Sequence, residues 1–159
     1  MQLDELDVAL VRLMIEEPKA GSREYARILG VSRGTVQSRI ARLERSAVLS
    51  SYSPHVDPDA MGFSVEAFIQ LHTAQGMIDE VSASVAGVPE LLEAYATTGG
   101  GDLLCHVVAR DNKHLERIVT QIQRLNGVLR TQTEIALSKR VPYRILPLLT
   151  SRALDTTLG

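Results

Sequence analysis

The chain has 159 residues, of which 45% are hydrophobic and 23% charged, with a net charge of −2. This composition is that of an ordinary globular protein, long enough for one domain or two small ones. Aromatic residues make up only 4% and Trp is absent, which disfavours an aromatic-lined carbohydrate or tetrapyrrole cleft. There is no long apolar run and the start MQLDELD is acidic, so we expect a cytoplasmic protein without a signal peptide or membrane span. Cys105 is the only cysteine, which excludes an intrachain disulfide and a CxxC metal site.

The first fifty residues show the pattern of three short helices. Leu and Met recur at helical spacing from residue 3 to residue 14, which predicts an amphipathic helix over residues 4–17. A second helix is predicted over 23–29, with Ser22 as its N-cap and Gly30 as the residue that ends it. Ser32 is the predicted N-cap of a third helix, which runs from residue 33 to about residue 46.

This third helix is rich in arginine although the chain as a whole is acidic. Residues 22–46 hold six Arg against two Glu, a balance of 6 − 2 = +4, so the remainder of the chain carries −6. The apolar residues Val36, Ile40 and Leu43 fall on one side at 100° per residue, and most of the arginines share the other side with small polar groups. An uneven distribution of this kind indicates an anionic partner for one part of the chain.

Two helices joined by a glycine turn, with such a face on the second, are typical of a DNA-binding helix-turn-helix. Small residues let the helix enter a major groove about 12 Å wide, and long basic ones reach phosphates and guanine edges. The alternative is a solvated face of a three-helix bundle that uses Arg for its helix propensity. The predicted DNA-binding residues are Ser22, Arg23, Ser32, Arg33, Gly34, Thr35, Gln37, Ser38, Arg39, Arg42 and Arg45.

The sequence pattern changes after residue 50. Residues 51–63 contain prolines and a glycine, and predict a short hairpin and linker after a helix-turn-helix domain over 1–50. Over 64–140, strand-like and helix-like segments alternate in the order β-α-β-β-α-β, which predicts a ferredoxin-like sandwich and an α+β protein. Residues 141–159 form an extension that starts as a Pro-interrupted apolar segment and ends in a polar tail.

The loop TTGGGD lies between the second and third predicted strands. Its three glycines can present backbone N–H groups to an anion such as an α-carboxylate, and Asp102 offers an acceptor for an α-ammonium. Thr131 and Thr133 on the fourth strand could add hydroxyls. The alternative is an ordinary glycine-rich hairpin turn. A P-loop is excluded because no Gly-Lys-Ser/Thr follows.

The histidines do not form a metal site in the sequence. His55, His72, His106 and His114 are scattered, without the spacing of metal ligands. The predicted fold places the strands of His72 and His106 side by side, which leaves a histidine pair open. No catalytic constellation stands out, and we expect no cofactor.

Several segments together resemble the Lrp/AsnC family of transcriptional regulators over roughly residues 2–140. They are LDELDVAL, REYARILGVSRGTVQSRIARLERSAVL, YSPHVDPDAMGF, VPELLEAYATTGGGDLLCHVVARD and QRLNGVLRTQTEIAL. The resemblance implies a winged helix-turn-helix joined by a hairpin to a ligand-binding domain, homodimers that assemble into octamers, and amino-acid effectors bound between dimers. It implies an effector site at Gly99, Gly100, Gly101, Asp102, Leu103, Thr131, Gln132 and Thr133.

Two positions depart from the pattern of the family. Ala47 stands where the family usually has Gly, which predicts a differently built turn into the hairpin. Gly101 stands where the family's loop often has an aromatic residue, which puts the identity of an effector in question.

The leading hypothesis is a DNA-binding regulator, not an enzyme, that responds to a small effector, expected to be an amino acid. One alternative is an enzyme of the same architecture that resembles siroheme decarboxylases, which would need basic and histidine residues lining a large cleft. The other is a nucleoid-type protein that wraps DNA without an effector.

Overall fold

A computed structural model describes residues 3–50 and 56–156, which divide into two compact units. One unit contains the residues up to 54 together with those from 141 onwards, and the other contains residues 55–140. None of the helices formed by the described residues is long and apolar enough to cross a membrane. In chain order the elements are α1 (Glu5–Glu16), α2 (Ser22–Leu29), α3 (Arg33–Arg45), β1 (Val65–Thr73), α4 (Ile78–Val85), β2 (Leu91–Ala96), β3 (Leu103–Ala109), α5 (Asn112–Gln123), β4 (Val128–Ala136) and α6 (Leu146–Thr156).

The ends of the first three helices follow local chemistry. Asp4 caps α1, and its side chain and that of Asp7 each accept a hydrogen bond from the other residue's backbone N–H. Gly30 ends α2 in the left-handed conformation with φ 67°, and Ser32 caps α3 as predicted. Ser22 is not the N-cap of α2: it is the first helical residue, and Gly21 takes the cap position without a side-chain bond.

The core of the helix-turn-helix unit forms where the three helices meet. Its buried residues are Leu10, Val11, Tyr25, Ala26, Val36 and Leu43. Helix α6 also belongs to this unit, because Leu149 packs against that core and Arg12 Nη2 donates to Thr150 Oγ1 at 3.0 Å. The sequence pattern of residues 141–159 did not predict this helix. Pro147 is compatible with the helix because it lies in the first turn.

The second unit is the predicted ferredoxin-like sandwich. Its four antiparallel strands lie in the order β2-β3-β1-β4, so the first and third strands are central. Residues of β1 and β3 alternate between buried and partly exposed, as expected for a sheet covered on one face. The covered face and the two helices α4 and α5 share a core of thirteen buried residues, from Ala67 to Ile122, that includes Cys105.

The opposite face of this sheet carries no covering element from its own unit in the described residues. The strand register places Phe68, Gln70, Leu104, His106 and Tyr95 on it. Residues 51–55, which contain much of the predicted hairpin, lie outside the described residues. In residues 56–63 the chain forms a short 3₁₀ helix, Asp59–Met61, and no strand.

Candidate nucleic-acid interface and effector site

The outward face of α3 is narrower than the sequence pattern suggested. Arg33, Gly34, Gln37, Ser38 and Arg45 are all exposed. At 100° per residue they occupy an arc of about 140°. Thr35 is half-buried and its hydroxyl lies 2.9 Å from the Oγ of Ser32, so it supports the start of the helix. The outward face therefore carries the small residues Gly34 and Ser38 in the N-terminal half of α3. A basic residue lies at each end of the helix, Arg33 at the start and Arg45 at the end.

Two of the predicted DNA-binding arginines point elsewhere. Arg39 Nη1 donates to Asp7 Oδ1 at 3.0 Å and also to the carboxylate of Asp4. Arg42 Nη2 donates to Asp7 Oδ2 and lies 3.8 Å from Asp4 Oδ2. Both guanidinium groups therefore pair with carboxylates at the start of α1. We call Asp4, Asp7, Arg39 and Arg42 the charge cluster.

The charge cluster is more shielded from water than a surface ion pair. The side chain of Asp7 is fully buried, and that of Arg39 is 25% exposed. The hydrogen bond from Arg39 keeps the pKa of Asp4 below its ordinary value, and the same bond raises the pKa of Arg39. The sequence analysis missed both acids. The available signal was the spacing of Asp4 and Asp7, three residues apart, which matches that of Arg39 and Arg42.

Three of the six arginines in residues 22–46 form ion pairs with carboxylates of the same chain. Arg27 pairs with Glu24 at 2.6 Å, and Arg39 and Arg42 belong to the charge cluster. The other three arginines of residues 22–46 form no ion pair within residues 3–50 and 56–156, and they are Arg23, Arg33 and Arg45. Arg23 is exposed on α2 next to the half-buried Ser22.

The turn after α3 retains the geometry that a glycine would give. Ala47 has φ 56°, the only left-handed non-glycine residue in the described part of the chain. Ala47 thus adopts the left-handed conformation that glycine favours. Ala47 takes the strained conformation because the amides of Ala47, Val48 and Leu49 all donate to carbonyls of the last turn of α3.

In the second unit, Asp102 holds the glycine loop against strand β1. Its Oδ2 accepts from the backbone N–H of Thr73 at 2.6 Å and from the Thr73 hydroxyl at 3.2 Å. The backbone bond is the main cause that keeps the pKa of Asp102 below its ordinary value. Within the described residues, no hydrogen bond reaches the other carboxylate oxygen, Oδ1.

The glycines of this loop approach β1 closely. A Cβ at Gly101 would lie 3.1 Å from the carbonyl oxygen of Leu71, and one at Gly100 would lie 3.0 Å from Oε1 of Gln70. Gly99 has φ 120°, which side chains rarely tolerate. The loop therefore needs glycine for its shape, and an aromatic side chain at position 101 would require the loop to move away from β1.

The remaining predicted effector residues are not all brought together: Leu103 and Thr131 lie at the end of the sheet next to the glycine loop, whereas Gln132 and Thr133 lie at the middle of β4. Leu103 and Thr131 flank Leu71 on its two sides, so β1 separates them by two strand spacings, about 10 Å. Leu103 is buried in the core, and Thr131 Oγ1 accepts from Gln123 Nε2 at 2.8 Å. Gln132 points to the open face opposite Gln70, whereas Thr133 points to the face that carries the helices.

His106 and His114 each contact a carboxylate and an aromatic ring. His106 lies opposite Phe68, stacks on its ring at 4.8 Å and is 2.7 Å from Glu66 Oε1, whereas His72 lies four residues further along β1. The two therefore do not pair. His114 lies 3.1 Å from Glu90 Oε1, and His55 lies outside the described residues. No group of three or more metal-ligating side chains occurs among residues 3–50 and 56–156.

Comparison with known sequences places both units in one family. A family model described as an AsnC-type helix-turn-helix domain matches residues 3–44, and one described as the Lrp/AsnC ligand binding domain matches residues 66–146. The HTH-type transcriptional regulator FL11 of Pyrococcus horikoshii is 32% identical over 146 residues, which cover 92% of this chain and 97% of that protein.

Solved structures share the two-domain fold. AsnC of E. coli has a TM-score of 0.86 at 23% identity and covers 92% of this chain and 100% of its own. A transcriptional regulator from Neisseria meningitidis, solved as a complex with L-Met, has a TM-score of 0.83 at 21% identity and covers 92% and 99%. The chain therefore belongs to the Lrp/AsnC family of helix-turn-helix transcriptional regulators, which are DNA-binding proteins with a ligand-binding domain and not enzymes.

Proposed function

We propose that α3 reads DNA through its outward face, with Arg33, Gly34, Gln37, Ser38 and Arg45 as the contacting residues. The observation that carries this proposal is that Arg33 and Arg45, unlike Arg39 and Arg42, have no ion-pair partner within residues 3–50 and 56–156. Gly34 and Ser38 have small side chains, so the helix backbone can approach the bases near them. Ser22, Arg23 and Ser32 lie at the two helix starts, where hydroxyl and guanidinium groups suit phosphate contacts.

The test is a comparison of single arginine variants at several salt concentrations. Removing a phosphate contact lowers affinity for all sequences and reduces the log–log salt slope by about one unit, whereas removing a base contact relaxes specificity at one position. Arg33→Ala, Arg45→Ala and Arg23→Ala should each show one of these effects. Arg117→Ala, an exposed arginine of α5 in the other unit, is the matched control. Unchanged binding in all three variants would contradict the assignment.

We further propose that two copies pair through the open faces of their sheets. Phe68 and Leu104 are only half-buried there, and Tyr95 is 53% exposed, so the face offers apolar area at its centre. Pairing would give the two-fold arrangement that a helix-turn-helix needs in order to read two half-sites. The family resemblance extends the proposal to octamers of such dimers.

Mass measurement in solution tests this assembly. We expect species of two and eight chains at micromolar concentration. Phe68→Arg should shift the distribution toward single chains because it places an unpaired charge in the interface. Glu116→Arg on α5 is the control, since that helix packs on the opposite face of the sheet. Identical mass distributions for parent and Phe68→Arg would contradict pairing through this face.

The glycine loop is our proposed effector site. The amides of Gly99, Gly100 and Gly101 donate no hydrogen bond within the described residues, and Oδ1 of Asp102 accepts none, so donors and an acceptor are available for an amino-acid zwitterion. Leu103 and Thr131 lie at the same end of the sheet as the loop, and Gln132 and Thr133 continue from Thr131 toward the middle of β4. The proposal places the ligand between dimers, where it would alter assembly and, through it, the spacing of the α3 helices.

Asp102→Asn separates the role of the charge from that of the loop. Asn keeps an oxygen that can accept from Thr73 but cannot pair an ammonium group. We expect calorimetric titration with a panel of L-amino acids, L-Met included, to show binding to the parent and at least tenfold weaker binding to Asp102→Asn. Linkage requires that DNA change the affinity for the ligand by the same factor as the ligand changes the affinity for DNA. Equal ligand affinity in both proteins would place the site elsewhere.

Regulation of transcription by DNA binding also supports our proposal that the protein acts in the cytoplasm. The siroheme-decarboxylase-like alternative has no support from the regulators to which the chain is similar. The nucleoid-type alternative predicts that no amino acid of the panel binds, so the same titration tests it.

A further inference from the structure

The charge cluster joins the start of α1 to the middle of α3. Asp7 is the only fully buried charged residue in the described part of the chain, and its carboxylate is surrounded by donors. Oδ1 accepts from Arg39 Nη1 at 3.0 Å, and Oδ2 accepts from Arg42 Nη2 and from the backbone N–H of Asp4 at 3.1 Å. A carboxylate with this many partners cannot turn without losing several bonds.

The cluster fixes the rotation of α3 about its own axis. Arg39 and Arg42 are three residues apart, so their side chains leave the same side of the helix and both end at Asp7. Rotation by one residue position, about 100°, would carry both guanidinium groups away from Asp7. The outward arc from Arg33 to Arg45 lies on the flank left free by this anchoring.

The cluster also removes two positive charges from the DNA-facing surface. Two carboxylates and two guanidinium groups sum to zero, and Arg39 is only 25% exposed. Counterion release, which drives binding to DNA of any sequence, needs cations that are free to meet phosphates. Arg39 and Arg42 contribute little to that release while Asp4 and Asp7 hold them.

We propose that Asp7, assisted by Asp4, is a positioning and specificity-determining residue: it withholds Arg39 and Arg42 from the DNA backbone and sets the rotation at which α3 presents its outward face to the bases. This inference rests on the proposal that α3 reads DNA. Its consequence is that neutralising an acid should make DNA binding stronger but less selective, whereas loss of a DNA-contacting residue makes binding weaker.

The test uses the full chain with Asp7→Asn and Asp4→Asn, which keep the size of each side chain and remove its charge. Two duplexes are compared: the genomic fragment that the parent binds most tightly, and a shuffled duplex of the same composition. We expect the salt slope for the shuffled duplex to become steeper by about one to two units in Asp7→Asn and up to about one unit in Asp4→Asn. The preference for the genomic fragment should fall by roughly tenfold, the size of one lost base contact.

Controls separate positioning from folding. Asp79→Asn, an exposed acid on α4, makes the same change of net charge and should leave slope and preference unchanged. Asp4→Asn combined with Arg39→Gln removes the freed cation and should restore the slope of the parent. Should Asp7→Asn not fold, Asp4→Asn and this double variant still decide, because Asp4 is half exposed and contributes less to the core.

Two negative results have different meanings. If Asp4→Asn and Asp7→Asn melt at lower temperature but keep the slope and preference of the parent, the cluster is only structural and the inference is overturned. If Arg33→Ala, Arg45→Ala and Arg23→Ala also leave the binding of the parent unchanged, the proposal that α3 reads DNA fails as well.

Discussion

The two units of this chain are held together by different physical means. The sheet unit has thirteen buried core residues, whereas the described core of the helix-turn-helix unit has six and a buried charge cluster beside it. Burial of apolar area is non-directional and depends little on salt or pH, but hydrogen-bonded ion pairs are directional and depend on both. The unit that, in our proposal, presents a helix at a defined rotation is the one with a fully buried carboxylate held by two guanidinium groups.

The largest effects should come from the two cores. Ile69→Ala and Leu43→Ala each remove a fully buried side chain, and each should lower the free energy of unfolding by about 2–5 kcal/mol. Hydrogen exchange measured by peptide should show that Leu43→Ala loosens residues 3–50, whereas Ile69→Ala loosens residues 64–136.

Cys105 provides a second readout for the sheet unit. It is fully buried, and burial raises the pKa of its thiol to about 11, so alkylation at pH 8 should be slow in the parent and faster in Ile69→Ala. Leu43→Ala should leave the labelling rate close to that of the parent. If both substitutions accelerate the alkylation of Cys105 equally, the two units unfold together and do not differ in how they are stabilised.

A smaller effect should distinguish two left-handed glycines, one in each unit. Gly30 has open space around the position of a Cβ, so Gly30→Ala should cost only the backbone strain, about 1 kcal/mol. In Gly127→Ala the Cβ would lie 3.0 Å from both Met77 and Val81, which adds steric conflict, and we expect a loss of about 2–3 kcal/mol. Thermal unfolding of the two variants measures the difference in stability. Equal losses of stability would mean that Met77 and Val81 can move aside at little cost.

Acid should weaken the helix-turn-helix unit through Asp4. Because the pKa of Asp4 is lower in the folded state, its contribution is present above the unfolded pKa of about 3.9 and is lost as the pH falls through the folded value. Asp4→Asn should therefore show less loss of stability between pH 5 and the acid limit, by at most about 1 kcal/mol because the side chain is half exposed. Asp102→Asn is the corresponding variant in the sheet unit. The pKa of Asp102 is also lower in the folded state, so its contribution to stability is likewise lost as the pH falls. Urea unfolding of both variants across this pH range, followed by exchange in each unit, is the measurement.

The smallest expected effect is a gain in stability. Ala47 pays for a left-handed φ of 56° that glycine adopts freely, so Ala47→Gly should raise the stability of the helix-turn-helix unit by up to about 1 kcal/mol. Exchange in residues 33–49 should slow, and exchange in the sheet unit should not change. A loss of stability would mean that the methyl group of Ala47 packs better than its exposed position suggests.

The sequence predicted the elements well because their periodicity and caps are local. The ranges of α1, α2 and α3 agree with the predictions to within one residue, and the order β-α-β-β-α-β was sufficient for the sandwich. Cap identity was less secure: Gly21 and Ser22 both suit an N-cap, and only the backbone geometry decides between them.

The candidate sites could be predicted only in part because they depend on distant partners. A helical projection locates Arg39 and Arg42 on α3 but cannot show that acids 32 to 35 residues away will hold them. In the same way, the sequence shows a glycine loop with an acid, but not that Thr73 uses one of the carboxylate oxygens. Helix α6 was not predicted because a proline inside an apolar segment usually indicates the end of a helix. Pro147 is compatible with α6 only because it lies in the first turn, which the sequence does not reveal.

Helix α6 has a consequence for the order in which the protein is made. The helix-turn-helix unit contains the first three helices of the chain and also α6, so its last packing partner is translated after the whole sheet unit. About 100 residues separate α3 from Leu149, which at about 5–20 residues per second is a delay of roughly 5–20 s. During that interval the part of α1 around Arg12 that α6 later contacts is open to the ribosome surface and to chaperones. The helix-turn-helix unit is therefore completed only after the sheet unit has been translated.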